Sequence, residues 1–200
     1  MKIKDLATMA GNCRKMTLFN TRVGGEIVRQ HLSLNGTAIF PLDGMQPISE
    51  ETLLTIADVN TEAREHFEVA QCNLGGRVFE MVEDQKPDDV MAKMGRLTIK
   101  IKNLELVTVE PETGGGILFL PVKLLKPIKD REQPGFVIRT IGEEGDEQRV
   151  IIALEGWKNV GAFAPAELWA SHDEAVELQK MARAANELAM INAQREQDAR

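Results

Sequence analysis

Val28–Val59, VRQHLSLNGTAIFPLDGMQPISEETLLTIADV, decides the architecture, because it places a tight hairpin directly before a capped helix. Asn35-Gly36 separates HLSL from TAIF, and this pair tolerates positive φ angles at both central positions of a two-residue turn. With such a turn, Leu34 is expected opposite Thr37 and Leu32 opposite Ile39, so that Leu32, Leu34 and Ile39 share one side of the ribbon. Pro41, Gly44 and Pro47 end the sheet. Ser49 is placed to cap a helix whose first turn carries Glu50 and Glu51, where the helix dipole favours carboxylates. Leu53, Leu54, Ile56 and Ala57 supply its apolar face.

Upstream, Ile3, Leu6, Ala7 and Ala10 recur at helical spacing and predict a short helix that stops at Gly11-Asn12. MTLFNT (Met16–Thr21) is rich in strand formers, and Gly24-Gly25 turns the chain into the hairpin, so a three-stranded meander is expected. Downstream, the pattern predicts a strand around Phe67–Ala70, a Gly75-Gly76 turn, a strand at Arg77–Val82 and a short helix after Pro87. RLTIKIKNLELVTVE (Arg96–Glu110) alternates as a half-buried antiparallel strand with a break or bulge near Asn103. Gly114-Gly115-Gly116 leads to ILFLPVKLL. FVIRTI and QRVIIAL flank the acidic loop GEEGDE, and VGAFAP forms one more short strand. Ser171 and Glu174 read as a capping box for a final helix with an apolar seam of Leu178, Met181, Ala185 and Leu188.

These elements give an α+β fold, mainly antiparallel sheet, with short N-terminal and middle helices and a long C-terminal helix. One domain is expected over 1–192, divisible into sub-units 1–60 and 95–192, with 193–200 as a polar tail.

At 200 residues and 43 % hydrophobic, the chain has enough apolar side chains for a real core. A net charge of −7 argues against sequence-independent phosphate binding along a nucleic acid. Seven Phe, two Trp and no Tyr leave few rings for stacking on bases. Cys13 and Cys72 share no motif spacing, so neither a disulfide framework nor a zinc site is indicated. No cationic start leads into an apolar signal segment, and no apolar run approaches the roughly 20 residues that span a bilayer. A cytoplasmic location without a membrane partner is expected.

The usual catalytic patterns are missing. Neither a phosphate-binding loop nor a dinucleotide fingerprint occurs. His31, His66 and His172 are scattered without a second metal ligand at useful spacing, and the GEEGDE loop lacks the ordered ligands of a calcium site. Ser33 falls within a strand, Ser49 and Ser171 are caps, and no nucleophile elbow is present. A non-enzymatic protein without cofactor or metal is expected. What remains is a set of cations on strands, Arg96, Lys100, Lys102 and Arg139, with Lys123 and Lys126 near a strand end. Together they are expected to line a concave pocket for an anionic ligand, with Phe119 or Trp157 stacking on a base.

The blocks MTLFNT, NGTAIFPLDG-x-x-x-ISEETLLTIADV, GGGILFLPVKLLKPI and RVIIALEGWKNVGAFAP, in this order, resemble a family of uncharacterised proteins encoded in phages and prophages of Gram-positive bacteria. The resemblance covers most of the chain outside Thr61–Lys93. It implies a phage accessory protein working in the bacterial host cell, and transfers no catalytic residues. The expected function is to counter host defence by binding, most concretely by sequestering a small nucleotide immune signal between subunits of a homo-oligomer. Two alternatives stand beside it: an acidic inhibitor docking on a host or phage protein, and an accessory factor in phage DNA replication or recombination that uses the basic strip Lys123–Arg131.

Overall fold

The computed structural model describes residues 2–101, 103–114, 116–128, 134–166 and 172–198, with side chains from 176 to 197 in the last stretch. The meander forms as β1 (Lys15–Val23), β2 (Glu26–Leu34) and β3 (Ala38–Pro41). Asn35 and Gly36 adopt the left-handed conformation expected of them, with φ of 50° and 68°. Thr37 nevertheless joins the turn, its amide and hydroxyl donating to the Leu34 carbonyl at 3.0 and 3.1 Å. Leu34 therefore pairs with Ala38 and Leu32 with Phe40, one residue away from the expected register. Such a slip moves every side chain to the other face. Phe40 joins Leu32 and Leu34 in the main core, while Ile39 faces the opposite side.

The other elements are α1 (Ile3–Gly11), α2 (Glu50–Ile56), β4 (Glu68–Asn73), α3 (Gly76–Val82), β5 (Val90–Ile101), β6 (Leu104–Pro111), β7 (Leu118–Pro121), β8 (Gly135–Ile141), β9 (Gln148–Glu155), β10 (Lys158–Phe163) and α4 (His172–Asp198). The ten strands among the described residues join one sheet in the order β4-β1-β2-β3-β10-β9-β8-β5-β6-β7. Every pairing is antiparallel except β1 with β4. The protein is α+β, as its sequence predicts. No helix among the described residues is long and apolar enough to cross a membrane.

One face of this sheet, from Met16 and Leu18 on β1 to Leu120 on β7, lines a single core into which α1 inserts Leu6 and Ala10 and α2 inserts Leu53. The amide of Lys2 donates to Pro127 O at 2.7 Å, so α1 bridges from the meander to the chain just beyond β7. The sheet must curl to bring both regions to one helix. Phe40 and Phe163 meet edge to face at its centre, 5.6 Å between centroids. Ser49 caps α2 as expected, accepting the Thr52 amide at 3.2 Å.

The outer face is covered in two places. Val78 and Met81 of α3 pack on Ile39, Val137, Ile152 and Ala162, whereas Leu178 and Ala182 of α4 pack on Leu106, Ile117 and Phe119. Helix α3 replaces the strand expected at Arg77–Val82. Val78, Met81 and Val82 lie three and four residues apart, and that spacing puts all three on the sheet side of a helix. No helix follows Pro87; the chain turns directly into β5. The break near Asn103 is a hairpin turn, pairing Ile101 with Leu104, and the bulge lies instead between Met94 and Thr98.

Gly95 sits in that bulge. A β-carbon there would lie 2.0 Å from Thr108 Oγ1 and 2.7 Å from Asn186 Oδ1. Asn186 of α4 donates to Thr108 Oγ1 at 2.9 Å, so the missing side chain is what lets the helix reach the sheet. Gly95→Ala is expected to destabilise by about 1–3 kcal/mol and to raise amide exchange along α4, as seen by thermal melting and hydrogen exchange. Helix α4 runs on to Asp198, so the polar stretch that begins at residue 193 is helical as far as that residue.

Candidate functional site

Pro121 ends β7, and a tight helical turn over Val122–Leu125 follows. Leu124, Leu125 and Ile128 anchor this segment in the core, which leaves Lys123 and Lys126 outside. On β5, Ile99 and Ile101 turn toward α4, and Lys100 between them projects to the other side. Lys100, Lys123 and Lys126 thereby come to line one cleft of about 290 Å³, together with Asn103, Leu104, Glu105 and Val122. Lys102 lies outside the described residues.

Glu105 is the carboxylate of this cleft, 3.9 Å from Lys100 across the strand pair. Both side chains are exposed, so the contact is weak and screened. Lys123 also acts on Cys13 at the end of α1: burial pushes this half-buried thiol above its ordinary pKa, and the lysine charge opposes the rise. Three mobile ammonium groups around a small cleft suit a compact, multiply charged oxyanion such as a phosphate. Lysines supply charge without demanding one geometry.

Arg96 goes elsewhere. It lines a groove of about 460 Å³ between β5, the start of β8 and α4, with Met91, Met94, Phe136 and Met190. Lys93 in this groove is engaged by Glu112 at 3.0 Å. Phe119 is buried beneath α4, so its ring is not available to a ligand. Trp157 is 69 % exposed on the turn between β9 and β10, which lie two and three strands from β5 in the sheet order. Neither ring reaches the lysine cleft.

Arg139, expected in the anion pocket, is committed to the fold instead. It is 2 % exposed, and all five of its N–H groups are used by the protein. Nε and Nη2 bind the two Asp89 carboxylate oxygens at 2.7 and 2.6 Å, and the remaining donors reach the carbonyls of Glu80 (2.6 Å), Glu83 (3.1 Å) and Asp84 (2.9 Å). These carbonyls lie at and just beyond the end of α3, where an α-helix leaves acceptors without internal partners. Asn159 assists by donating to Met81 O and Glu83 O at 2.9 and 3.1 Å. The guanidinium is a clamp between helix and sheet, with no donor left for a ligand. Alternation alone puts Arg139 on a polar position, and nothing local signals a partner 50 residues away.

His31 lies buried in β2 with neither ring nitrogen hydrogen-bonded. Burial, aided by the charge of Arg29 and opposed by that of Asp43, lowers its pKa to about 4. Burial alone would raise the neighbouring Asp43 carboxyl, but hydrogen bonds from Lys158 and Arg29 and their charges outweigh this and hold it below the usual range. His66 sits beside Glu65 at 3.7 Å on the surface. Among the described residues no group of three His, Cys, Asp or Glu side chains is placed to hold a metal ion. No protein-family model, curated protein or solved structure matches the chain.

Proposed function

We propose that the protein acts by binding and that it takes a small phosphorylated ligand in the cleft of Lys100, Lys123 and Lys126. The convergence of these three lysines on a chain of net charge −7 carries the reading. An acidic surface repels an extended polyanion over most of its area, whereas a compact anion needs only one locally positive cleft. The phage-like sequence pattern supplies the biological setting: a protein of the bacterial cytoplasm that withdraws a nucleotide immune signal from host defence. In this reading phosphates carry the recognition, because the rings of Phe119 and Trp157 lie away from the cleft.

Calorimetric titration with cyclic nucleotides, cyclic ADP-ribose isomers and inorganic phosphate tests the proposal. Saturable binding to at least one phosphorylated compound is expected, with Lys123→Glu/Lys126→Glu weakening it at least tenfold. A flat titration across the panel would overturn it. The competing reading, an acidic inhibitor docked on a basic groove of a host or phage protein, is favoured by the exposed carboxylates of Glu143, Glu144, Asp146 and Glu147 at the β8–β9 tip. It predicts stoichiometric capture of a protein partner that Glu143→Lys/Glu144→Lys abolishes and the cleft variant leaves intact.

A further inference from the structure

Helix α4 rests on the sheet through Leu178, Ala182 and Asn186, and its far side carries a second, exposed seam. Glu177, Met181, Ala184, Leu188, Ile191 and Arg195 succeed one another by four, three, four, three and four residues, and all six are exposed. This is the seven-residue repeat by which two helices pack along a common line. Met181, Leu188 and Ile191 are 67 %, 61 % and 47 % exposed, which is unusual for three large apolar side chains on one face. It is not the seam expected from Leu178, Met181, Ala185 and Leu188. Leu178 and Ala185 face inward of it, so the helix is rotated to keep Met181 and Leu188 outside.

We propose that this seam is covered by the same helix of a second copy, running antiparallel. In antiparallel packing each residue of one heptad position meets the complementary position of its partner. Aligning the two seams about their common centre sets Met181 against the partner's Ile191, Ala184 against the partner's Leu188, and Glu177 against the partner's Arg195. Large meets small at the middle, and opposite charges meet at both ends. The parallel alternative stacks Glu177 on Glu177 and Arg195 on Arg195, so charge selects the antiparallel arrangement. Glu177 contacts Lys180 at 2.8 Å within the helix, an exposed pair that is easily shared with the incoming arginine. The seam is about 27 Å long at 1.5 Å per residue. It therefore buries an area at the low end of specific interfaces, below about 1,200 Å², and gives a concentration-dependent dimer.

The inference is independent of the anion cleft, whose lysines lie off this helix, so failure of one leaves the other standing. Sedimentation velocity of the full chain across a concentration series is expected to show a reversible dimer. Leu188→Glu should weaken it at least tenfold while thermal melting of the monomer is unchanged, because the side chain is exposed. Arg195→Glu should weaken it as well, and Glu177→Arg/Arg195→Glu should restore it by exchanging the two ends of each pair. A monomer at every concentration would overturn the proposal, as would a dimer indifferent to Leu188→Glu or a double exchange that fails to rescue Arg195→Glu.

Discussion

Asp89→Ala is expected to cost about 3–5 kcal/mol, the range for removing one partner of a buried ion pair. Its carboxylate neutralises Arg139 in a site closed to water, where the Asp89 side chain has no exposed surface. Truncation strands a guanidinium whose other donors are fixed on the Glu80, Glu83 and Asp84 carbonyls. Arg139→Met should cost as much for the converse reason, leaving a buried carboxylate and the end of α3 without its donors. The double variant is expected to lose clearly less than the two single losses added together, because no lone charge remains. Full recovery is not expected, since the α3 carbonyls stay unpaired. Urea midpoints at unchanged slope measure this. Additive losses would mean that the two side chains act independently.

Acid should act through His31. Its folded pKa of about 4 lies below the ordinary 6.5, so the unfolded chain binds the proton more readily. Stability is then fully present above pH 6.5 and falls as pH drops toward 4. At 1.36 kcal/mol per pKa unit the loss is roughly 3 kcal/mol. Asp43, whose carboxyl is held low, contributes a loss only at still lower pH, so the two windows separate. His31→Leu should flatten the limb between pH 6.5 and 4. It should also hold or raise stability at neutral pH, because it removes two buried nitrogens that bind nothing. A variant with the wild-type acid limb would assign that limb to other groups.

Local chemistry made much of this fold readable. Ser49 with Glu50 and Glu51 marked the start of α2, the alternation of FVIRTI and QRVIIAL marked β8 and β9, and Gly24-Gly25 marked the first turn of the meander. The register at Asn35 was not readable, because inclusion of Thr37 in the turn is decided by the pairing of Leu34 with Ala38 and by how Phe40 packs. Helix α3 is not legible in the sequence, since seven residues are too few for period alone to separate helix from strand. Within the candidate site, Lys100, Lys123 and Lys126 followed from alternation and from Pro121. Of the cations expected to share a pocket, these three converge, because β6 folds back beside β5 and β7 returns along β6. Residue type alone suggests Phe119 and Arg139 for a ligand pocket, whereas the outer-face helices that bury them pack from distant parts of the chain.

Nuclear magnetic resonance of the lysine side chains, recorded while a cyclic nucleotide or cyclic ADP-ribose is added, tests the lysine cleft most directly. Shifts confined to Lys100, Lys123 and Lys126, with the Trp157 indole N–H unmoved, are the predicted result. A saturating ligand that moves Trp157 or Arg96 and leaves the three lysines unchanged would contradict it.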